Sequence, residues 1–430
     1  MGKVKIKKSD IWIDMTPMSD VMTLLLTFFM LTSTFVKNEP VKVNTPGSVS
    51  EIKVPENGVL TILVSPEKDK AGNPTGEGQV FMSIDNTDQL GATLSTMTGT
   101  FGVSLNPKQI ETFKSEGMFG VPMSDLSTYL TMNASKRPQY LQTKGIPLDS
   151  IKGGMSEFQQ WVDAARNVNE DIKIALKADA STPYKTVKRV MSELQDMDES
   201  HYYMITQLKQ QGDEKMAKKE SKQKKMNVRV DFTPMVDMLM LLITFFMLCT
   251  SLSKPQTMEL TMPSNDENTQ EDQKNEAKAS ETVTLYITAD NKIYYGAGIP
   301  KYDDPTWIKE TTWGSQGIRK ALREHATENG TRPVERIALA VKELNMDRQK
   351  NPKQYPDSIY QKKLSDLKAG NLKDGKIPTL TIVIKPTDNA SYKNMVDALD
   401  EMQILNIGTY VIDKISGDDE KLLKSRNVKM

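Results

Sequence analysis

One message is written twice in this chain, and that constrains its fold more than any other feature. Ile13-Asp14-Met15-Thr16-Pro17-Met18-Ser19-Asp20 leads into an apolar run, and Val230-Asp231-Phe232-Thr233-Pro234-Met235-Val236-Asp237 leads into another. Comparing 13–31 with 230–248, 12 of 19 positions are identical, including Leu24-Leu25, Thr27 and Phe28-Phe29-Met30-Leu31. Such a chain reads as two related units, each with one carboxylate at the edge of a run of membrane length. Twenty helical residues rise about 30 Å, the thickness of the hydrocarbon core. A carboxylate in that setting is costly and points by default to ion or proton movement.

Asp20 is the only ionisable residue from 17 to 36, and Asp237 the only one from 234 to 253. Thr16-Pro17 and Thr233-Pro234 make good helix starts, a hydroxyl cap followed by proline in the first turn. Both runs read as uncut anchors, because neither is followed by a small-x-small cleavage pattern and the second is internal. Thr16, Asp20, Thr23, Thr27 and Thr34 recur at spacings that hold them on one helical face. Thr233, Asp237, Thr244 and Ser251 form the same stripe in the second copy, with Met240 replacing the middle threonine. A polar stripe of this kind belongs on a water-accessible or protein-facing seam, while Leu, Met, Phe and Val meet lipid or other helices. The alternative is that an aspartate in the first turn only favours the positive end of the helix dipole. Asp14 and Asp231 are assigned mainly to that role; Asp20 and Asp237 are the candidate proton carriers.

The balance of 56 basic and 56 acidic side chains gives no electrostatic footprint for nucleic acid. The one cysteine, Cys249, lies inside the second run, so neither an intramolecular disulfide nor a Cys-rich metal site is available. His201 and His325 are isolated in sequence and read as ordinary domain residues. No Gly-rich phosphate loop, zinc-protease helix or nucleophile elbow occurs. The expectation is therefore no enzyme, no catalytic residues, no cofactor and no metal.

Thr-Pro-Met-x-Asp followed by a Leu/Phe/Met run, behind a basic arm, resembles the ExbD/TolR family. Val41-Lys42-Val43-Asn44-Thr45-Pro46 and Met258-Glu259-Leu260-Thr261-Met262-Pro263 are similar to that family's short periplasmic strand, with Thr45-Pro46 and Met262-Pro263 in place of its Leu-Pro pair. The resemblance implies a fold class of membrane α plus α/β. Each of two units would hold a single transmembrane helix, a flexible tether and a small periplasmic α+β domain. It also implies a bacterial inner-membrane location, an ExbB/TolQ-like pentameric partner and a TonB-like transducer. The two units would pair with each other, and Asp20 and Asp237 would take and release protons.

The domain pattern follows. A basic arm at 1–15, a transmembrane helix at 16–36 and a tether at 37–57 precede a domain at 58–210. A second arm at 211–230, a helix at 231–253 and a tether at 254–281 precede a domain at 282–430. Strands are expected at 59–64 and 79–84, with their counterparts at 282–288 and 292–295, where Asp290-Asn291 marks a hairpin turn. A strand at 172–177, a helix at 183–197 and a strand at 202–206 end the first domain. The same ending recurs at 380–385, 391–402 and 408–412. Between hairpin and ending each half carries a mostly helical insertion, at 86–168 and 300–372, which is either a docking surface or peripheral padding.

Lysines 3, 5, 7 and 8 place the first arm inside the cell, and the basic stretch 215–229 is a stronger inside signal. No apolar run between 37 and 225 returns the chain across the membrane. This predicts that 1–215 and 216–430 are, or descend from, two separate polypeptides, the second starting at Met216-Ala217-Lys218-Lys219. The expected function is a proton-motive-force-driven motor for TonB-dependent outer-membrane import. The alternatives are a TolR-like motor for outer-membrane maintenance, or a static anchor of periplasmic domains.

Overall fold

The computed structural model describes residues 24, 40–50, 52–53, 58–68, 74–150, 154–209, 256–261, 279–289, 291–426 and 428. The chain divides into two compact units, Met1–Glu39 and Pro40–Met430. In the first, only Leu24 is described, helical and exposed.

The larger unit holds two mixed sheets. After the short strands β1 (Gly47–Ser48) and β2 (Ile52–Lys53) comes β3 (Val59–Lys68), nearly continuous in buried apolar residues, as a central strand covered on both faces must be. β4 (Pro74–Ile84) returns antiparallel to β3. Five helices form the first insertion: α1 (Thr87–Phe101), α2 (Pro107–Ser115), α3 (Met123–Thr131), α4 (Arg137–Gln142) and α5 (Glu157–Val168). Asn86 caps α1 by accepting from Asp88 N and Gln89 N, and Gly102 ends it at φ 64°, where a side chain would be strained. β5 (Lys173–Ala178), α6 (Tyr184–Gln195) and β6 (His201–Leu208) complete the half, with β5 parallel to both β3 and β6.

β7 (Gln256–Thr261) belongs to the second half of the sequence yet pairs antiparallel with β6, so the first sheet runs β2-β7-β6-β5-β3-β4. The second sheet runs β10-β9-β8-β13-β14, starting from β8 (Thr282–Ile287), β9 (Ile293–Ala297) and β10 (Lys309–Thr311). Its hairpin turns at Asn291, φ 58°. The second insertion holds α7 (Ile318–Glu324), α8 (Pro333–Lys350), α9 (Asp357–Lys368) and the small hairpin β11 (Asn371–Leu372) and β12 (Gly375–Lys376). β13 (Thr381–Pro386), α10 (Tyr392–Ile404), β14 (Thr409–Ile412) and α11 (Gly417–Ser425) follow. One apolar core runs through both halves, joining Leu60, Tyr184 and Leu194 to Met258, Tyr392 and Met395.

Two findings correct the expected membrane α plus α/β fold with a single transmembrane helix per unit. Among the described residues no helix is long and apolar enough to cross a membrane, and the architecture is α/β, two mixed sheets with helices. The longest of these helices, α8, carries Glu335, Arg336, Lys342, Glu343, Asp347, Arg348 and Lys350, a charge density the hydrocarbon core excludes. The runs at 16–36 and 231–253 lie outside the described residues, Leu24 excepted. Nor are the two domains independent. β7, which belongs to the second half of the sequence, is the hydrogen-bonded neighbour of β6, and one apolar core spans both halves.

Candidate functional site

The proposed proton carriers Asp20 and Asp237 lie outside the described residues, as do the stripe residues Thr16, Thr23, Thr27, Thr34, Thr233, Thr244 and Ser251. What the structure does place is the chain that follows each apolar run. Both stretches converge on β6. Residues 40–50 run along the first half: Asn44 N donates to Asp179 Oδ2 at 2.8 Å, and Ala180 N to Asn44 O at 2.8 Å. They end as β1, parallel to the last residues of β6. β7 lies along the same strand, antiparallel, with Ser50 Oγ donating to Thr257 O at 2.6 Å.

At this junction stands Asp400, on α10 of the second half and only 1% exposed. Its Oδ1 accepts from Ser48 Oγ at 2.7 Å and from Val49 N at 3.2 Å, while Oδ2 has no hydrogen-bond partner. Lys209, just after β6, reaches Asp397 at 3.0 Å and Asp400 Oδ2 at 3.5 Å. Burial pushes the Asp400 carboxyl above its ordinary range, although Ser48, Val49 and Lys209 pull the other way. Burial works against the Lys209 ammonium, but the two aspartates outweigh it and raise its pKa.

Next to the junction the two halves meet back to back. Tyr184 N donates to Ala390 O at 2.8 Å and Tyr392 N to Thr182 O at 2.9 Å. Lys185 N donates to Asp388 O at 3.1 Å and Lys393 N to Ala180 O at 3.2 Å. Each bond has its mirror 208 residues away, so the contact is isologous, with a local two-fold axis between Pro183 and Ser391. The recurrence of Tyr184-Lys185 as Tyr392-Lys393, visible in the sequence, marks this seam. Burial pushes all three tyrosine hydroxyls here, Tyr184, Tyr202 and Tyr392, well above their usual pKa.

A second buried ion pair closes the far end. Lys385 on β13 meets Asp419 at 2.7 Å, and Tyr286 donates to the same carboxylate at 2.6 Å. Burial opposes ionisation of Asp419, but Lys385, Tyr286 and Ser416 outweigh it and hold its pKa below the ordinary range. No group of His, Cys, Asp and Glu among the described residues could hold a metal ion.

The geometry is that of two related domains joined where their leading segments arrive. A family model described as biopolymer transport protein ExbD/TolR matches residues 7–208 and again 223–414. The chain belongs to the ExbD/TolR family. It carries that family's domain twice in tandem, and the second match starts before Asp237 as the first starts before Asp20. ExbD/TolR proteins are inner-membrane, transport-associated and non-enzymatic, and work with ExbB/TolQ-type and TonB/TolA-like proteins. No curated protein and no solved structure matches the chain. Sequence reasoning missed Ser48, Lys209, Asp397 and Asp400. No local pattern marks them, because their partners lie up to 352 residues away.

Proposed function

We propose that this chain is a proton-motive-force-driven motor subunit of the ExbD kind. With an ExbB-like pentamer it would energise a TonB-like transducer for outer-membrane import. Asp20 and Asp237 take up and release the protons. Each stands alone among apolar residues, where burial favours the neutral carboxyl and ionisation calls for a polar path. The polar path is the stripe of Thr16, Thr23, Thr27, Thr34, Thr233, Thr244 and Ser251. The membrane potential alone supplies about 2.3 kcal/mol per charge per 100 mV. The tandem family match carries this reading, because both matched segments include the Thr-Pro-Met-x-Asp motif. The meeting of both leading segments on β6 supports it further: displacement of either run is felt at one strand.

Asp20→Asn and Asp237→Asn should each abolish energised import while leaving assembly with the pentameric partner intact. Normal import in both single variants sinks the protonation mechanism. Detergent sensitivity without an uptake defect in a deletion strain would mark the TolR-like role instead. Failure to recover a pentameric partner would leave a static anchor.

A further inference from the structure

The two halves align without a gap across the seam. Ala175 pairs with Tyr203 as Val383 pairs with Val411, and Leu176 with Met204 as Ile384 with Ile412, a constant shift of 208. Equivalent positions can therefore be compared directly. The seam's backbone bonds are two-fold symmetric and carry no preference for like or unlike halves. The cluster around Asp400 is not symmetric. Asp397 and Asp400 on α10 correspond to Arg189 and Ser192 on α6, while Lys209 follows the end of β6, a stretch for which β14, ending at Ile412, has no strand counterpart.

Consider the pairings that could compete. Two first halves would set Arg189 against Lys209, cation against cation, and would offer no carboxylate to Ser48 Oγ and Val49 N. Two second halves would set Asp397 and Asp400 beside a β14 that stops at Ile412, with no strand end to carry a residue in the place of Lys209. Uncompensated buried charge is among the costliest defects an interface can carry. Only the unlike pair supplies both members: the carboxylates from α10, and the ammonium, hydroxyl and amide from the end of β6 and residues 48–49.

We infer that Asp397, Asp400, Lys209 and residues 48–49 are the pairing-specificity determinant of this protein, selecting an unlike half as partner over a like one. It combines attraction to the right partner with repulsion or stranded charge against the wrong ones, as specific interfaces do. The upward push of burial on the Asp400 carboxyl agrees with a group that depends on Lys209 for its charged form. The charged neighbours that face it among the described residues are Lys209 and Asp397, with Lys393 behind Asp397 at 3.2 Å. This inference stands whether or not Asp20 and Asp237 carry protons.

Hydrogen exchange on the full chain in detergent tests it. Asp397→Arg with Asp400→Ser gives α10 the residues of α6. Val49 and Ser50 amides should then exchange at least tenfold faster, with β3 and β5 amides unchanged. Lys209→Glu, at a half-exposed position, should act in the same direction alone and recover protection when combined with Asp397→Arg. Like pairing is read separately by Pro183→Cys in a Cys249→Ser background, since residue 183 of two like halves would meet on the axis. Disulfide-linked dimers should be scarce, and several-fold more abundant once Arg189→Asp and Ser192→Asp give α6 the carboxylates of α10. Unchanged protection at Val49 and Ser50 in both Asp397→Arg/Asp400→Ser and Lys209→Glu, or equal dimer yields, overturns the inference.

Discussion

The two insertions occupy corresponding places in related halves and solve the same problem differently. In the first half, the insertion reaches the outer edge of β4, where Met82 and Phe119 exchange backbone hydrogen bonds at 2.8 Å. Phe113, Phe119 and Trp161 then pack together in the main core, with ring centroids 4.5 to 6.2 Å apart. In the second half, the equivalent edge on β9 is taken by the short strand β10, which ends the sheet. Ile318 and Leu322 on α7 and Val334 at the start of α8 reach the main core, but the rest of α8 and α9 close over their own small cluster of Ile337, Val341 and Ile377, and α9 buries no residue fully. They leave a cleft of about 660 Å³ lined by Arg336, Leu339, Asp347 and Asp366 among others. An insertion becomes part of a core when it covers an exposed edge with a large apolar side chain; where the edge is already covered, it stays a satellite.

The sharpest way to break this comparison is to remove the bridging ring. Phe119→Ala should destabilise the whole unit by about 3–5 kcal/mol, read as a lower denaturation midpoint for the entire transition. Leu364→Ala, in the half-buried face of α9, should cost about 1 kcal/mol and loosen only α8 and α9 in hydrogen exchange. Equal global losses from both would mean that the second insertion is as integral as the first.

The end of the second half is held by a separate contact. Lys385, at the strand position equivalent to Lys177, meets Asp419 of a helix, α11, that packs over it. Lys385→Met strands a fully buried carboxylate, a loss of about 3–5 kcal/mol, which should appear as release of α11 before the sheet unfolds. The pH dependence has a definite sign. Because the folded state holds the Asp419 pKa below its ordinary 3.8, this pair's stability is complete above that value and lost as pH falls through the folded pKa. Acid should therefore free α11 first, and α11 protection that stays constant on acidification would contradict the assignment.

Much of this fold could be read from the chain, and the reasons are local. The strand at 172–177 and the helix at 183–197 appear as Lys173–Ala178 and Tyr184–Gln195, because alternation and three-to-four spacing are properties of the segment itself. Asn291 at φ 58° is the kind of turn residue that Asp-Asn announced. What could not be read was which sheet a strand joins. The strand that resemblance suggested at 258–263 lies at Gln256–Thr261, but six residues of strand pattern carry no address, and its place beside β6 rests on Ser50 and Met204, far away in sequence. The Asp400 junction was invisible for the same reason, and α11 because nothing in its composition names Lys385. For the two aspartates the case was different: a lone carboxylate in an apolar run, written twice, is informative without any structure.

Glu157 offers a finer test of how the first insertion is held. Its Oε1 accepts from Met123 N at 2.9 Å, satisfying an amide at the start of α3 from inside the core, whereas α8 begins at Pro333 with no side-chain cap. Burial raises the Glu157 carboxyl, the Met123 bond offsetting only part of that. A raised folded pKa means stability that is complete below the ordinary 4.5 and lost as pH rises through the folded value. Glu157→Gln keeps the acceptor and removes the charge, so it should be neutral in acid and stabilising near neutrality, flattening the pH dependence of unfolding. A steeper dependence would mean that the anion is the preferred cap.

The smallest effect belongs to the satellite surface. Leu339 on α8 is 59% exposed at the mouth of the cleft. If the second insertion is held by its own cluster and not by this face, Leu339→Asp should change stability by no more than about 0.5 kcal/mol. The same substitution at Leu126 on α3, which is buried in the main core, should be severe, because it places a charge where Leu126 is 2% exposed. Thermal unfolding of the two variants side by side decides the point. Comparable losses would show that α8 is pressed against a surface as closely as α3 is, and the distinction between an integrated and a satellite insertion would fail.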